Sequence, residues 1–139
     1  MEDSEYRPPD DPVEHPLDGV TRILRVVRDL QQARPDLPLV GSGYTWLRRY
    51  MPQFAAGLVQ EGWVSLIGLG RGALAYPDFA RDILSGRGMD PHKVCIACSS
   101  CTQIMRDGGR AGCVVRDYEV YGPIFREGRN RDADVLQAK

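Results

Sequence analysis

The sequence predicts an α/β fold in which two short parallel strands alternate with helices, followed by a cysteine-rich segment of different character. Two apolar runs, residues 37–40 and residues 63–67, each end at glycines and have the length of buried strands. Helical periodicity precedes the first run and separates the two runs. Because strands that alternate with helices usually pair in parallel, both runs are expected to lie in one sheet with helices packed outside it.

Residues 1–16 are expected to form an extended or disordered lead, because four prolines interrupt them. Apolar residues at helical spacing begin at Leu17, with Asp18 as the expected N-cap. Pro35 is expected to end this first helix, just before the first strand.

A second helix is predicted between the strands, over residues 45–60, and Pro52 is expected to break it into two pieces. Two short helical pieces, residues 72–75 and 77–84, follow the second strand. Four aromatic side chains are expected to pack around the helix between the strands: Tyr44, Trp46, Tyr50 and Trp63.

Charge and hydropathy exclude several classes of partner. The 139 residues carry a formal net charge of −1 with acids and bases interspersed, which gives no sign of a nucleic-acid or anionic-membrane partner. No apolar run approaches the roughly 20 residues that span a bilayer. The acidic, proline-rich start does not have the pattern of a signal peptide. A cytoplasmic location is expected, where a reducing environment keeps cysteines free to bind metal.

The four cysteines of the chain lie in one stretch, CIACSSCTQIMRDGGRAGC, with the spacing C-x2-C-x2-C-x11-C. They are Cys95, Cys98, Cys101 and Cys113. This clustering favours metal coordination over free thiols or a disulfide. A compact triple with a distant fourth cysteine is more typical of an iron–sulfur cubane than of zinc, whose sites usually use two separated CxxC pairs or mixed ligands. Zinc stays an open alternative.

The charged and imidazole side chains near the cysteines have simpler interpretations. His92 is either a substitute ligand or a solvated side chain. Three further neighbours are expected to be solvated: Asp107, Arg110 and Arg116. No Ser/His/Asp arrangement for nucleophilic catalysis is present, so no catalytic residue is assigned.

Glycine loops follow both predicted strands. Gly41, Ser42 and Gly43 come after the first strand, and Gly70 and Arg71 come after the second. Glycines at such a position let backbone N–H groups approach an anion, although a tight turn alone also needs glycine. Two successive loops of this kind, one with a forked guanidinium, match the usual phosphate site of a (β/α)8 barrel.

Residues 37–84 and the run KVCIACSSCTQIMRDGGRAGCVV together resemble the C-terminal part of the NADH:flavin oxidoreductases, the old yellow enzyme family. The resemblance is strongest to the branch that includes 2,4-dienoyl-CoA reductase, and it covers about residues 17–117. It implies that residues 17–86 are the last two βα units of a (β/α)8 TIM barrel, with the strands as its seventh and eighth. Residues 87–125 would be an iron–sulfur segment, and residues 126–139 a loose polar tail.

The resemblance also implies the cofactors. The FMN phosphate would be held by Gly41, Ser42, Gly43, Gly70 and Arg71, and a [4Fe-4S] cluster would be held by the four cysteines. The spacing departs from that branch, in which the third gap is usually one residue longer. Electrons would pass from NAD(P)H through the cluster and FMN to a small unsaturated carbonyl or thioester.

Two βα units are too few for an independent sheet, because a complete barrel needs roughly 250 residues. The six preceding strands of the family's barrel, with the residues that contact the flavin ring, are absent from the sequence. The chain is therefore expected to be an inactive fragment that needs the missing barrel half or self-association. Two alternatives remain, namely a small zinc-binding interaction module and a decayed or mis-started gene segment.

Overall fold

The computed structural model describes the backbone of residues 14–137 and the side chains of residues 14–130. Most of the predicted lead, residues 1–16, lies outside the described residues. The elements in chain order are α1 (Pro16–Ala33), β1 (Val40–Gly41), a 3-10 helix (Tyr44–Tyr50), α2 (Met51–Gln60), β2 (Leu66–Ile67), α3 (Arg71–Ala75), α4 (Phe79–Leu84), α5 (Ser100–Arg106) and α6 (Tyr118–Gln137).

The two strands pair in parallel, with Val40 opposite Leu66 and Gly41 opposite Ile67. Each strand is two residues long, which is shorter than the apolar runs that predict them. The ladder continues for one further bond, from the Gly68 N–H to the Gly41 carbonyl at 2.7 Å. Both strands therefore end at the same edge of the sheet, where the two glycine loops begin. A barrel needs further strands and stays a prediction.

Helix α1 begins one residue before its predicted start, and its cap differs from the prediction. Pro16 occupies the first turn, and the His15 side chain accepts a hydrogen bond from the Leu17 N–H at 3.3 Å. The expectation that Asp18 is the N-cap is wrong, because Asp18 lies inside the first turn. Proline is favoured at this position since its missing N–H has no partner to lose there.

A buried glutamine joins α1 to both strands. The Gln31 side-chain oxygen accepts from the Leu39 N–H at 3.1 Å and from the Ser65 hydroxyl at 2.8 Å. Its amide nitrogen donates to the Leu37 carbonyl at 2.9 Å. One polar side chain thus satisfies backbone groups beside β1 and fixes the approach of β2, which the helical periodicity alone does not reveal.

The helix between the strands is broken, but earlier than predicted. Arg48 has φ 50° and ψ −125° inside the 3-10 helix, and α2 begins at Met51. Pro52 lies in the first turn of α2, where a proline is tolerated, so it begins the second piece rather than breaking it.

The core lies between α1, the 3-10 helix, α2 and the residues just before β2. Its buried members are Val20, Leu24, Tyr44, Met51, Ala55, Leu58 and Val64. The predicted packing role is confirmed for Tyr44, whose ring meets Phe54 edge-on at 5.4 Å, and Trp63 packs against the core from its margin. The predicted packing role is wrong for Trp46 and Tyr50, which are 43% and 60% exposed.

The C-terminal region is more helical than its composition predicts. Helix α6 runs from Tyr118 to Gln137, across most of the predicted loose tail of residues 126–139. It packs against α5, and Pro123 lies in its interior. Within the described residues, no helix is both long and apolar enough to cross a bilayer.

Candidate metal centre

All four cysteines line one pocket, although Cys113 comes from a different stretch of backbone than the other three. The pocket is small, with a cavity volume of about 10 Å³. The sulfurs are free thiols: Cys101 is buried, Cys98 is exposed, and Cys95 and Cys113 are half-buried. The four predicted metal ligands thus line one pocket, and their role as ligands stays a prediction.

The turn that carries the first two cysteines has an unusual backbone. Ala97 and Ser99 have φ values of 60° and 59°, a left-handed conformation that residues with a Cβ rarely adopt. In this conformation the Ala97 N–H donates to the Cys95 sulfur at 3.3 Å. Left-handed residues in such turns aim backbone N–H groups into a concavity, and such concavities hold anions, including iron–sulfur clusters.

Helix α5 supplies the buried thiol of Cys101 and is braced by α6. Gly109 lies so close to both helices that an added Cβ would meet Ile104 Cγ2 at 2.9 Å and Ile124 Cγ2 at 3.0 Å. The C-cap residue of α5 is also tied to α6: Asp107 accepts from Arg129 Nη2 at 2.7 Å. The prediction that Asp107 is solvated is wrong, because its side chain is almost fully buried.

A hydrogen bond closes the segment that carries Cys113 onto the segment that carries Cys95. Arg116 Nη2 donates to the Val94 carbonyl at 2.7 Å, and Val94 and Val114 are both buried. Arg116 is exposed, as expected for a solvated charge, but it also lines the pocket. His92 is exposed and is not among the residues that line the pocket, so its predicted alternative role as a ligand gains no support.

Ionisation of the Cys95 thiol is unfavourable in this pocket. Burial raises the pKa of the Cys95 thiol, and the Ala97 N–H opposes this. Negative charge on Cys101 and Cys113 raises the same pKa further, whereas Arg71 lowers it. The thiols are therefore close enough to repel one another when ionised, and a bound cation or cationic cluster would remove that repulsion.

A single zinc ion and an iron–sulfur cubane require different spacings of the four sulfurs. Among the side chains of residues 14–130, no three His, Cys, Asp or Glu residues are grouped so that they could hold a metal ion. Four thiolates on one zinc lie about 3.8 Å apart, since each Zn–S bond is about 2.3 Å. In a cubane each thiolate binds a different iron, so the four sulfurs lie further apart around a shared space.

The two glycine loops lie side by side at the carboxyl edge of the strands. A Cβ added at Gly68 would lie 3.4 Å from Ser42 Cβ, and Gly43 has φ 92°. Gly41 is closely packed, since an added Cβ would lie 2.5 Å from Tyr44 Oη. Gly70 has open space around it. Close packing thus explains Gly41 without a ligand, whereas it gives no reason for glycine at position 70.

A buried hydroxyl beside the first loop has no partner. Tyr44 is 2% exposed, and its Oη makes no hydrogen bond within the described part of the chain. Burial raises the pKa of Tyr44, so the group is a neutral donor. An unpaired buried hydroxyl at this edge is consistent with a small polar ligand or water near Gly41.

Arg71 faces the cysteines. Its Nη1 donates to Ser99 Oγ at 2.8 Å, and its side chain lines the pocket of the four thiols. The sequence places Arg71 with the phosphate loops and gives no sign of this contact, because the two residues are 28 positions apart.

Comparisons with protein-family models, with curated proteins and with solved structures find no match to this chain.

Proposed function

We propose that this chain is the C-terminal part of an FMN-dependent, iron–sulfur NAD(P)H:flavin oxidoreductase of the ene-reductase type. The observation that carries the proposal is the common pocket of Cys95, Cys98, Cys101 and Cys113. The left-handed turn at Ala97 supports it, since backbone N–H groups directed at thiolates stabilise the negative charge of a cluster.

In this proposal the cysteine segment binds a [4Fe-4S] cluster and shields it from water. Cys101 and Val114, which line the pocket, are both buried, so part of its lining is shielded from solvent. Cys98 is exposed, so the pocket would be accessible to a redox partner at this cysteine. When bound, the cluster and FMN would supply electron and hydride transfer between NAD(P)H and a small unsaturated carbonyl or thioester.

The glycine loops are proposed to hold the FMN phosphate. Gly41, Ser42 and Gly43 would offer backbone N–H groups from one loop, and Gly70 and Arg71 would add an N–H and a cation from the next. The adjacency of the loops supports this, as does the open space at Gly70. The groups that contact the flavin ring would come from further barrel strands or from a second copy of the chain.

The proposal is tested by purifying the full chain without oxygen, reconstituting it with iron and sulfide, and recording absorption and metal content. We expect about four irons and four sulfides per chain, as a cubane requires, and a broad visible band that dithionite bleaches. Added FMN that stays with the protein would support the phosphate loops. One tightly bound zinc, with no uptake of iron and sulfide, would instead favour the structural zinc module.

Cysteine substitution makes the test specific. Cys101→Ser removes the buried ligand, so we expect loss of most bound iron and bleaching of the visible band. Thr102→Ser is the matched control, a small change at the next position that leaves all four thiols in place. Equal iron content in the two variants would contradict a four-cysteine cluster.

A further inference from the structure

A hydrogen bond connects the loop after β2 to the cysteine turn. Arg71 is the first residue of α3, and its Nη1 reaches Ser99 Oγ at 2.8 Å. Arg71 also lines the pocket together with all four cysteines. The proposed phosphate loop and the proposed metal centre therefore share one side chain.

Ser99 has an unfavourable backbone conformation in the cysteine turn. It adopts φ 59° and ψ 4°, a left-handed conformation that is unfavourable for a residue with a Cβ. It is the N-cap of α5, yet its hydroxyl makes no capping bond to the helix. The hydroxyl is bonded to Arg71 instead, so a contact from a distant part of the chain helps to hold this conformation.

The backbone of Ser99 controls the start of the helix that carries Cys101. The Ser99 carbonyl accepts the first hydrogen bond of α5, from the Gln103 N–H at 3.0 Å. Cys98 precedes Ser99, and Cys101 follows it by two positions. Any rotation of Ser99 would therefore move these two thiols relative to each other.

We propose that Arg71 is a positioning residue of the cysteine turn, which it holds through Ser99 so that the thiols of Cys98 and Cys101 face one pocket. The role of those thiols as cluster ligands rests on the proposed function, whereas the positioning is a property of the chain itself. A guanidinium has five N–H donors, so its bond to Ser99 leaves others for an anion at the glycine loops. Arg71 thus couples the two sites.

The positioning is tested on the full chain, reduced and free of metal, by amide hydrogen exchange of Gln103 measured by NMR. Arg71→Gln and Ser99→Ala should each speed this exchange about tenfold, the size expected for losing a hydrogen bond to a charged group. The double variant should be no faster than either single variant, because both remove the same bond. The exchange of the Glu61 amide, at the C-cap of α2, should not change.

Two controls separate loss of the bond between Arg71 and Ser99 from general unfolding of the chain. Arg110→Gln removes an exposed arginine of the same segment that does not line the pocket, so Gln103 exchange should keep its original rate. Ser99→Gly frees the backbone to adopt φ 59° without strain. In that background, Arg71→Gln should have little further effect. Unchanged exchange in Arg71→Gln and Ser99→Ala would overturn the inference.

Reconstitution with iron and sulfide separates this inference from the proposed function. If the original chain binds a cluster, Arg71→Gln should release its iron to a chelator about tenfold faster than Arg110→Gln does. Equal release rates would overturn the coupling. If the original chain takes up no iron, the proposed function fails, and the exchange of Gln103 still decides whether Arg71 positions the turn.

Discussion

Asp82 is a buried carboxylate in α4, the helix that precedes the segment leading to the cysteines. It accepts hydrogen bonds from the Tyr76 hydroxyl and from the Arg87 guanidinium, and Lys93 Nζ lies 3.8 Å from its second oxygen. The Lys93 ammonium also lies over the Tyr76 ring, 5.1 Å from its centre. These contacts hold residues 87–93 against α4, and this loop ends two positions before Cys95.

The charge of Asp82 makes the fold sensitive to acid. The Tyr76 hydrogen bond first, and then Arg87, lower the pKa of Asp82 from its ordinary value of 3.8 to about 2. A carboxyl with a lowered pKa stabilises the fold above its unfolded pKa of about 4 and loses this contribution as the pH falls towards 2. We expect Asp82→Asn to lower the melting temperature at pH 6 and to match the original chain near pH 2.

The measurement is the thermal midpoint between pH 2 and pH 6. The matched control is Asp78→Asn, since Asp78 precedes the same helix and makes an exposed ion pair with Arg81, which contributes little. A constant difference in midpoint between Asp82→Asn and the original chain across this range would contradict the assignment.

The short elements of the fold depend on close backbone packing as well as on apolar periodicity. β1 is only two residues long, and its second residue, Gly41, lies against Val64 and the Tyr44 hydroxyl. An alanine there would place its Cβ 2.7 Å from Val64 Cγ1. The first glycine loop can follow this strand only because no side chain occupies the space.

Gly41→Ala should therefore destabilise the chain by about 1–3 kcal/mol, the usual cost of overpacking. Gly57→Ala is the contrasting change. Gly57 lies inside α2 with open space around its Cβ position, so alanine there should stabilise the chain by about 0.5–1 kcal/mol. Urea denaturation of both variants checks the pair. Equal effects of the same sign would show that the packing at Gly41 yields more readily than its distances indicate.

At the scale of the whole molecule, the two-stranded sheet leaves apolar surface uncovered. Each strand has one partner within the described residues, and Val40 and Leu66 are 55% and 57% exposed. Parallel sheets are normally covered on both faces and extended by further strands. These properties agree with the expectation that the chain completes its sheet by association.

We expect the full chain to associate in a concentration-dependent way, as measured by sedimentation velocity. Val40→Lys and Leu66→Lys should each shift the distribution towards monomer, since a charge on the sheet opposes pairing. Leu84→Lys replaces an apolar residue of α4 that is 88% exposed, and should leave the distribution unchanged. A chain that is monomeric at all concentrations would contradict self-association.

The sequence by itself predicted the alternation of helices and strands, both glycine loops and the four cysteines as one set. These features depend on local spacing, and periodicity and residue type record local spacing directly. Local signals also explain the errors: Asp18 and Pro52 have the right chemistry for a cap and a break, but neighbouring residues take those roles. A cap depends on which side chain reaches the free N–H groups.

Only the tertiary structure decided which distant residues meet. Gln31 joins α1 to the strands, Asp107 is buried against α6, and Arg71 bonds to Ser99 at the cysteine pocket. Such contacts join residues between 22 and 34 positions apart. Nothing in a local pattern records them, because a hydrogen bond between distant segments depends on how the whole chain packs.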